Sequence, residues 1–194
     1  MEKTIRSFIA IPLTAPIHQK LAEFCHLQGL DNRNSGLKPV QAANIHLTIK
    51  FLGEIDQHCV KELCTSLDQV ASQLNPFTIY VRGVGAFSSW NRNTRVIWVG
   101  TGPVEPLLKV YSCVEKATIS LNFPAEKRGF SPHLTLARIN TQTEQLAAIL
   151  NRLSRLTPEP FFGEMLVERL VLFKSVLLPQ GPVYTVLSSH LFTQ

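Results

Sequence analysis

The chain has 194 residues, of which 45% are hydrophobic and 17% are charged, and its formal net charge is +5. These values are ordinary for a soluble globular protein, and the length suffices for one domain or two small lobes with a real core. No apolar run approaches the ~20 residues that span a bilayer, which excludes a membrane-spanning helix. The positive net charge is by itself only a weak indication of an anionic partner.

The cysteines and the N-terminal residues favour a cytoplasmic protein. The first residues lack a cationic segment followed by a long apolar stretch, so we expect no export. A reduced state is expected for the four cysteines because their spacing is irregular; they are Cys25, Cys59, Cys64 and Cys113. Cys25 has His26 beside it, but adjacent helix residues diverge, so a cysteine nucleophile is discounted.

In chain order, the first predicted elements are a strand, a helix and a second strand. The apolar run 5–13 predicts the first strand. The helix has Pro16 in its first turn. Its apolar stripe consists of Ile17, Leu21, Phe24 and Leu27. A polar loop over 31–36 leads to a strand that begins at His46 and that Gly53 is expected to end.

The middle of the chain predicts two further helices and two further strands. Asp56 can cap the first of these helices, which Asn75-Pro76 stops. Residues 77–84 and 95–99 alternate as strands. The second helix is expected over about 104–120, where apolar residues recur at helical spacing.

The last third begins with a loop rich in charge and glycine over 124–132. A strand that begins at His133 follows it, and residues 142–156 again have helical spacing. Two closing strands, 165–174 and 183–192, are separated by a turn that contains proline and glycine.

The mixture of strands and helices lacks the strict alternation of a parallel nucleotide-binding sheet. We therefore predict an α+β fold in which residues 1–194 form a single domain. Its two pseudo-symmetric lobes are each expected to contribute one histidine-bearing strand to a shared central cleft.

The most informative pattern is a tetrapeptide that occurs twice, as His46-Leu47-Thr48-Ile49 and as His133-Leu134-Thr135-Leu136. Each copy alternates like a half-buried strand, so its histidine and threonine point the same way, about 7 Å apart. Composition predicts roughly 0.03 copies by chance, so two copies indicate function. The alternative, two similar strands with buried and satisfied histidines, stays open, although such polar groups are costly unless they are used.

Two histidines across a cleft suit acid–base chemistry near neutral pH. With an ordinary pKa near 6.5, one imidazole can accept a proton while the other donates one. Opening a cyclic phosphodiester needs two proton transfers, one from the attacking water and one to the departing sugar oxygen. The hydroxyls of Thr48 and Thr135 can donate hydrogen bonds to the non-bridging phosphate oxygens.

We expect neither a metal nor a cofactor at this site. Zinc requires three or four ligands at a recognisable spacing, and the sequence contains no such set. Glu54 and Asp56 lie past the first motif, and no acidic residue follows His133 before Glu144. A surface position is the expectation for the remaining histidines, which are His18, His26, His58 and His190.

Strand alternation also predicts where the residues around the motifs point. Lys50 shares the face of the first motif, so it either reaches the rim of the cleft or marks a solvated strand end. Arg138 falls on the wrong face unless its strand bulges or ends near Ala137. Phe8 and Arg6 of the first strand could form the floor of a base-binding site, although such a phenylalanine is more often core.

The twin motif resembles the 2H phosphoesterase superfamily, specifically its bacterial and archaeal RNA 2′,3′-cyclic phosphodiesterase branch, also called 2′-5′ RNA ligases. The blocks that carry the resemblance are 6–11, 44–53, 83–87, 95–100, 130–138 and 170–175. Ser7 departs from the apolar residue that is usual there, which bears on packing rather than on catalysis.

The resemblance implies two antiparallel-sheet lobes with outer helices, and an enzyme that opens a 2′,3′-cyclic phosphate at an RNA end to a 2′-phosphate. By the same resemblance, His46 is the proton donor to the leaving 3′ oxygen and His133 is the base that accepts a proton from water. Thr48 and Thr135 are then the phosphate-binding residues.

Arg138 aligns with an arginine that is thought to contact the nucleotide in the family, which favours a bulged strand. Phe8 becomes a candidate base contact by the same comparison. The partners implied are RNA or oligonucleotide ends that bear a 2′,3′-cyclic phosphate, and we expect a monomer.

Two other functions remain open at this point. The reverse reaction could join a cyclic-phosphate end to a 5′-hydroxyl and leave a 2′-5′ bond, and the same histidines would serve it. Alternatively, the chain could bind nucleotides or RNA ends without significant catalysis. The intact histidines and threonines of both motifs argue against this binding module, which would be favoured if His46→Ala and His133→Ala left every activity unchanged.

Overall fold

In the part of the chain that the structure describes, the alternating aliphatic residues form nine strands, which combine with four α-helices in an α+β fold. The computed structural model describes residues 4–88, 90 and 93–193. The strands are β1 (Thr4–Pro12), β2 (Leu37–Pro39), β3 (His46–Asp56), β4 (Phe77–Phe87), β5 (Val96–Gly102), β6 (His133–Ile139), β7 (Phe161–Val167), β8 (Arg169–Leu178) and β9 (Gly181–Leu191). The helices are α1 (Ala15–Leu27), α2 (Cys59–Ala71), α3 (Val104–Ser120) and α4 (Glu144–Leu153).

The strands form one antiparallel sheet in the order β7-β4-β5-β6-β3-β1-β8-β9, and β2 pairs with β6. We call β1, β3, β8 and β9 the first lobe, and β4, β5, β6 and β7 the second lobe. The two lobes meet where β3 and β6 pair through Leu47 and Leu134. The predicted α+β class with two antiparallel lobes around a cleft is therefore confirmed, and the lobes share a continuous sheet.

The lobes do not coincide with the two halves of the chain. β4, which the sequence places in the first half, pairs with β5 and β7 of the second lobe. β8 and β9 come last in the chain but return to β1 in the first lobe. Each lobe therefore contains strands from both halves of the chain, because pairing depends on tertiary packing rather than on chain order.

Two strand predictions are corrected by the structure. The run 165–174 was expected to be one strand, but it belongs to β7 and β8, which are separated at Glu168 and pair in opposite lobes. Gly53 was expected to end β3, which continues to Asp56. Gly53 instead has φ +73° at a bulge of β3 against β1, a conformation that glycine adopts without strain.

The helices cover the outside of the sheet. α2 and α3 pack against each other, α2 also contacts β8 and β9, and α3 contacts β3 and β5. The prediction of α3 over 104–120 is confirmed. In α1 the predicted stripe is correct for Ile17 and Leu21, which are buried, but Leu27 is 69% exposed at the end of the helix.

Among the described residues, no helix has the length and apolar character that crossing a bilayer requires.

Candidate active site

Both histidine–threonine pairs lie at the beginnings of strands that neighbour each other in the middle of the sheet. β3 begins at His46 and β6 begins at His133. The intervening Leu47 and Leu134 are fully buried, whereas the histidines and threonines are half-buried. The alternation predicted from the sequence is therefore confirmed: the aliphatic side chains pack into the core and the polar ones face the other side.

The antiparallel pair Leu47–Leu134 sets the arrangement of the polar groups. His46 and Thr135 flank this pair on one side, and Thr48 and His133 flank it on the other. All four side chains line one cavity of about 500 Å³. The fold thus brings together two motifs that are far apart in the chain.

The same backbone hydrogen bond orients each imidazole. Nδ1 of His46 lies 2.8 Å from the carbonyl oxygen of Asn44, and Nδ1 of His133 lies 2.7 Å from that of Ser131. Because a carbonyl oxygen can only accept, the proton of the neutral imidazole is on Nδ1 in both residues. Nε2 is then the nitrogen that is left to exchange a proton at each histidine.

Burial lowers the pKa of both imidazoles. Desolvation lowers the pKa of His46 below its ordinary value of 6.5, and the nearby His18 adds to this effect. Desolvation also lowers the pKa of His133, with the charge of Arg138 acting in the same direction. The backbone hydrogen bond opposes the shift at each site. An anion in the cavity would favour the charged imidazolium and raise both pKa values.

An aromatic cluster packs against His46. The Phe8 ring stacks on the imidazole at 4.7 Å between centroids and on Phe173 at 5.2 Å, and Tyr184 meets Phe8 edge-on at 4.9 Å. Phe8 lines the cavity but is only 3% exposed. Its burial leaves almost no ring surface for a nucleobase, which argues against the base contact expected from the resemblance. Phe8 instead packs against the face of the His46 ring.

The same β-bulge follows both motifs. The pairing of β3 with β1 skips Ile49, and the pairing of β6 with β5 skips the corresponding residue, Leu136. A bulge reverses the alternation of faces, so Phe51 and Arg138, two residues further along, both line the cavity. The bulge that the resemblance favoured for Arg138 is confirmed, whereas the equivalent bulge that exposes Phe51 was not expected.

Lys50 points away from the cavity because of that bulge. It is 5% exposed, and its Nζ donates to Oε2 of Glu115 at 2.7 Å and to the carbonyl oxygen of Pro124 at 3.0 Å. Both interpretations of Lys50, at the cleft rim and at a solvated strand end, are therefore wrong. The residue joins β3 to α3 and to the loop 124–132, which leads into the second motif.

The cavity wall is basic. Arg6, Lys38 and Arg138 line it, and no aspartate or glutamate is among the described residues that do so. Across the described ranges of the chain, no group of three or more histidine, cysteine, aspartate or glutamate residues could hold a metal ion. The groups that face the cavity are thus suited to an anion that is held by cations and hydroxyls.

Sequence reasoning missed several parts of this wall. Lys38 lies on β2, which has only three residues and therefore no detectable alternation. Tyr184 lies on the β8–β9 hairpin, which folds over the cavity. Asn44 donates its side-chain amide to the carbonyl of Pro182 at 2.8 Å and so ties this hairpin to the first motif. The proline and glycine of the turn predicted the hairpin but not its position.

The remaining histidines lie outside the cavity wall. His26 and His58 are exposed as predicted, and His18 is half-buried. His190 is only 3% exposed, so the surface position predicted for it is wrong. It bonds through Nδ1 to the carboxylate of Asp68 and thereby ties β9 to α2.

The cysteines lie outside the cavity wall. All four are free and half-buried. Burial raises the pKa of the Cys25 thiol to about 12. A thiol with so high a pKa remains protonated and unreactive, which agrees with the discounted cysteine mechanism.

Comparison with known proteins agrees with this geometry. The family model described as LigT like phosphoesterase matches residues 11–98 and 100–184. A protein of Archaeoglobus fulgidus named RNA 2′,3′-cyclic phosphodiesterase is 32% identical over 181 residues, which cover 93% of this chain and 96% of the relative. A protein of the same name from Methanocaldococcus jannaschii is 31% identical over 183 residues, which cover 94% and 98% of the two chains.

Two solved structures are similar over nearly their whole length. TT0787 of Thermus thermophilus superposes with a TM-score of 0.79 at 28% identity and covers 97% of this chain and 98% of its own. LigT of Escherichia coli, crystallised with 3′-AMP, superposes with a TM-score of 0.76 at 25% identity and covers 98% and 99%. The similarity therefore extends over both lobes.

Proposed function

Because the chain belongs to the LigT-like phosphoesterase family, we propose that it hydrolyses the 2′,3′-cyclic phosphodiester at an RNA end to a 2′-phosphomonoester. The observation that carries this proposal is the convergence of two histidine–threonine pairs on one basic cavity. The names of the relatives that are 32% and 31% identical support the substrate class.

In the proposed reaction His133 is the base and His46 is the acid. Nε2 of His133 takes a proton from water, and the water oxygen forms a bond to phosphorus. The bond from phosphorus to O3′ breaks as Nε2 of His46 gives its proton to that oxygen. Each such proton transfer typically contributes about 10²–10⁴-fold. The backbone hydrogen bonds at Nδ1 support these roles, since they leave Nε2 of each ring available.

Thr48, Thr135 and Arg138 are proposed to hold the phosphate. The two hydroxyls can donate to the non-bridging oxygens, where negative charge must be stabilised in the transition state. The guanidinium of Arg138 adds a permanent positive charge on the wall of the cavity. Arg6 and Lys38 extend this positive wall, which suits the backbone phosphates of an RNA.

The scheme requires no metal and no cofactor, since the imidazoles, hydroxyls and cations supply both the proton transfers and the charge stabilisation. We propose that residues 1–194 act as one domain, because the cavity takes one motif from each lobe. The same two proton transfers would also serve another nucleophile. A 5′-hydroxyl in place of water would then give a 2′-5′ bond through the same residues.

The test is to incubate an oligoribonucleotide that ends in a 2′,3′-cyclic phosphate with the protein, with and without EDTA. We expect a 2′-phosphomonoester in both conditions and a rate loss of at least about 10²-fold in His46→Ala and in His133→Ala. His58→Ala is the matched control, because His58 is exposed and lies outside the cavity wall. A second RNA with a 5′-hydroxyl in the reaction would reveal any joined product.

Two results would overturn the proposal. If the wild-type protein binds the cyclic-phosphate RNA without turning it over, the chain is a binding module. If EDTA abolishes turnover, the metal-independent scheme is wrong.

A further inference from the structure

The carbonyl oxygen that orients His133 belongs to a loop. Nδ1 of His133 lies 2.7 Å from the carbonyl oxygen of Ser131, in the segment that joins α3 to β6. Residues 124–132 form neither helix nor strand, and most of them are exposed. Exposed loops are in general more mobile than the elements they connect. The orientation of the His133 ring therefore depends on the contacts that hold this loop in place.

A buried ion pair holds the beginning of the loop. Nζ of Lys50 donates to Oε2 of Glu115 at 2.7 Å and to the carbonyl oxygen of Pro124 at 3.0 Å. Oε1 of Glu115 accepts from the backbone N–H of Glu126 at 2.7 Å. The side chains of Lys50 and Glu115 are only 4% and 14% exposed. Each member of the pair thus bonds both to its partner and to the loop backbone, which anchors residues 124–126 to α3 and β3.

An aromatic stack holds the end of the loop. The ring of Phe130 lies against the ring of Tyr111 on α3, with 4.6 Å between centroids and 3° between the planes. Ser131 and Pro132 separate Phe130 from His133. A proline fixes its own φ and restricts the residue before it to extended conformations, so this short segment is stiff. The position of Phe130 on α3 therefore influences the position of the Ser131 carbonyl.

We propose that Lys50 and Glu115 are positioning residues for His133: they fix the loop 124–132, which presents the carbonyl that keeps the proton of the neutral ring on Nδ1. Apolar side chains could also pack β3 against α3, but they could not bond the loop backbone. Without the Ser131 acceptor, part of the neutral rings would carry the proton on Nε2, which then cannot take one from water. The kinetic consequence rests on the proposed function, in which His133 is the base.

The test uses the double variant Lys50→Met with Glu115→Met, which removes the anchor without leaving one charge buried alone. With the cyclic-phosphate oligoribonucleotide we expect kcat to fall about tenfold or more and KM to change little, because a catalytic group is misplaced while the phosphate-binding residues remain. ¹⁵N NMR spectra of the neutral rings, recorded without substrate, should show that His133 no longer has its proton on Nδ1 alone. His46 should keep that form, because its acceptor is the carbonyl of Asn44.

A second variant and a control separate positioning from stability. Phe130→Leu loosens the other end of the loop and leaves the ion pair intact, so it should produce the same changes to a smaller extent. Val114→Ala is the control, since Val114 is fully buried on α3 beside Glu115. Its truncation destabilises the protein through a cavity but removes no hydrogen bond to the loop. This control should leave kcat and the tautomer of His133 unchanged.

The inference is supported if kcat and the tautomer of His133 change together in the double variant and not in Val114→Ala. It is overturned if either of the two fails to change, if both histidines change alike, or if Val114→Ala lowers kcat as much as the double variant does. If the wild-type protein does not turn over the RNA, the proposed function fails. The tautomer of His133, which is measured without substrate, then still decides whether the anchor positions the ring.

Discussion

Leu47 and Leu134 pair across the junction of β3 and β6, and through this pair the two lobes form one sheet. Because the strands are antiparallel, a local twofold axis passes through this pair. The histidine of each strand therefore lies beside the threonine of the other strand. Both leucines are fully buried. The relative positions of the four polar groups are thus determined by the packing of the most buried residues of the two motifs.

The pH dependence of the reaction should reflect the burial of the two imidazoles. The active form has one charged and one neutral ring, so its population is greatest between the two pKa values and the profile of kcat/KM is bell-shaped. Burial lowers the pKa of His46 and of His133 below 6.5. We therefore expect the maximum of kcat/KM, which reports the free enzyme, to lie below pH 6.5.

The profile of kcat should reach its maximum at a higher pH than that of kcat/KM, because the bound phosphate stabilises the charged rings. Initial rates measured from pH 4.5 to 8.5 at low and at saturating substrate give both profiles. A flat profile between about pH 5 and 8, or a kcat/KM maximum above neutrality, would contradict the two-histidine scheme.

The substitution Phe8→Leu should reduce kcat more than it changes KM. Its ring packs against the His46 imidazole at 4.7 Å, and a misplaced catalytic group costs up to about 10²-fold in rate. Steady-state kinetics measure this effect, and the NMR titration of His46 should show a shifted pKa. Phe24→Leu is the control, because Phe24 packs edge-on against Phe162 outside the cavity wall. An equal loss of kcat in both variants would exclude the orienting role.

The substitution Lys50→Met should destabilise the protein by about 3–5 kcal/mol, since it leaves the carboxylate of Glu115 buried without its cation. The double change Lys50→Met with Glu115→Met should recover part of this loss. Urea unfolding measures each free energy. Arg82→Met is the control: Arg82 pairs with Glu159 on the surface, where a pair contributes at most about 1 kcal/mol. A loss in Lys50→Met no larger than in this control would refute the prediction.

The substitution Arg138→Ala should lower kcat/KM about tenfold or more through the loss of a charge-assisted hydrogen bond to phosphate. Arg138→Lys should recover only part of the activity, because an ammonium cannot reproduce the bidentate geometry. With an RNA substrate, the dependence of KM on salt should also weaken. Arg82→Ala serves as the comparison, since Arg82 lies outside the cavity wall. Unchanged kinetics in Arg138→Ala would show that Arg138 does not contact the substrate.

The parts of the fold that local periodicity specifies were predictable. The alternation at each motif correctly indicated which side chains of β3 and β6 are buried, and the helical spacing over 104–120 correctly indicated α3. Patterns of this kind depend on the geometry of one segment alone. For that reason they are visible in the sequence without any knowledge of the partner strands.

Features that depend on a partner were not predictable in this way. The run 165–174 has the composition of one strand, yet its two parts pair with different lobes. The burial of the Phe8 side chain and the ion pair of Lys50 with Glu115 likewise depend on neighbours that are distant in the chain. Local alternation contains no information about which strand or helix will lie opposite.

The sequence by itself determined the chemical groups of the site and the strand surfaces that present them, because a period of two places each histidine beside its threonine whatever the rest of the chain does. Tertiary structure alone decided that Phe51 faces the cavity and that Lys50 faces α3, and it established that Arg138 reaches the cavity. The physical reason is the bulge after each motif: it is a shift in register against the neighbouring strand, and it reverses the side to which the next residues of the strand point.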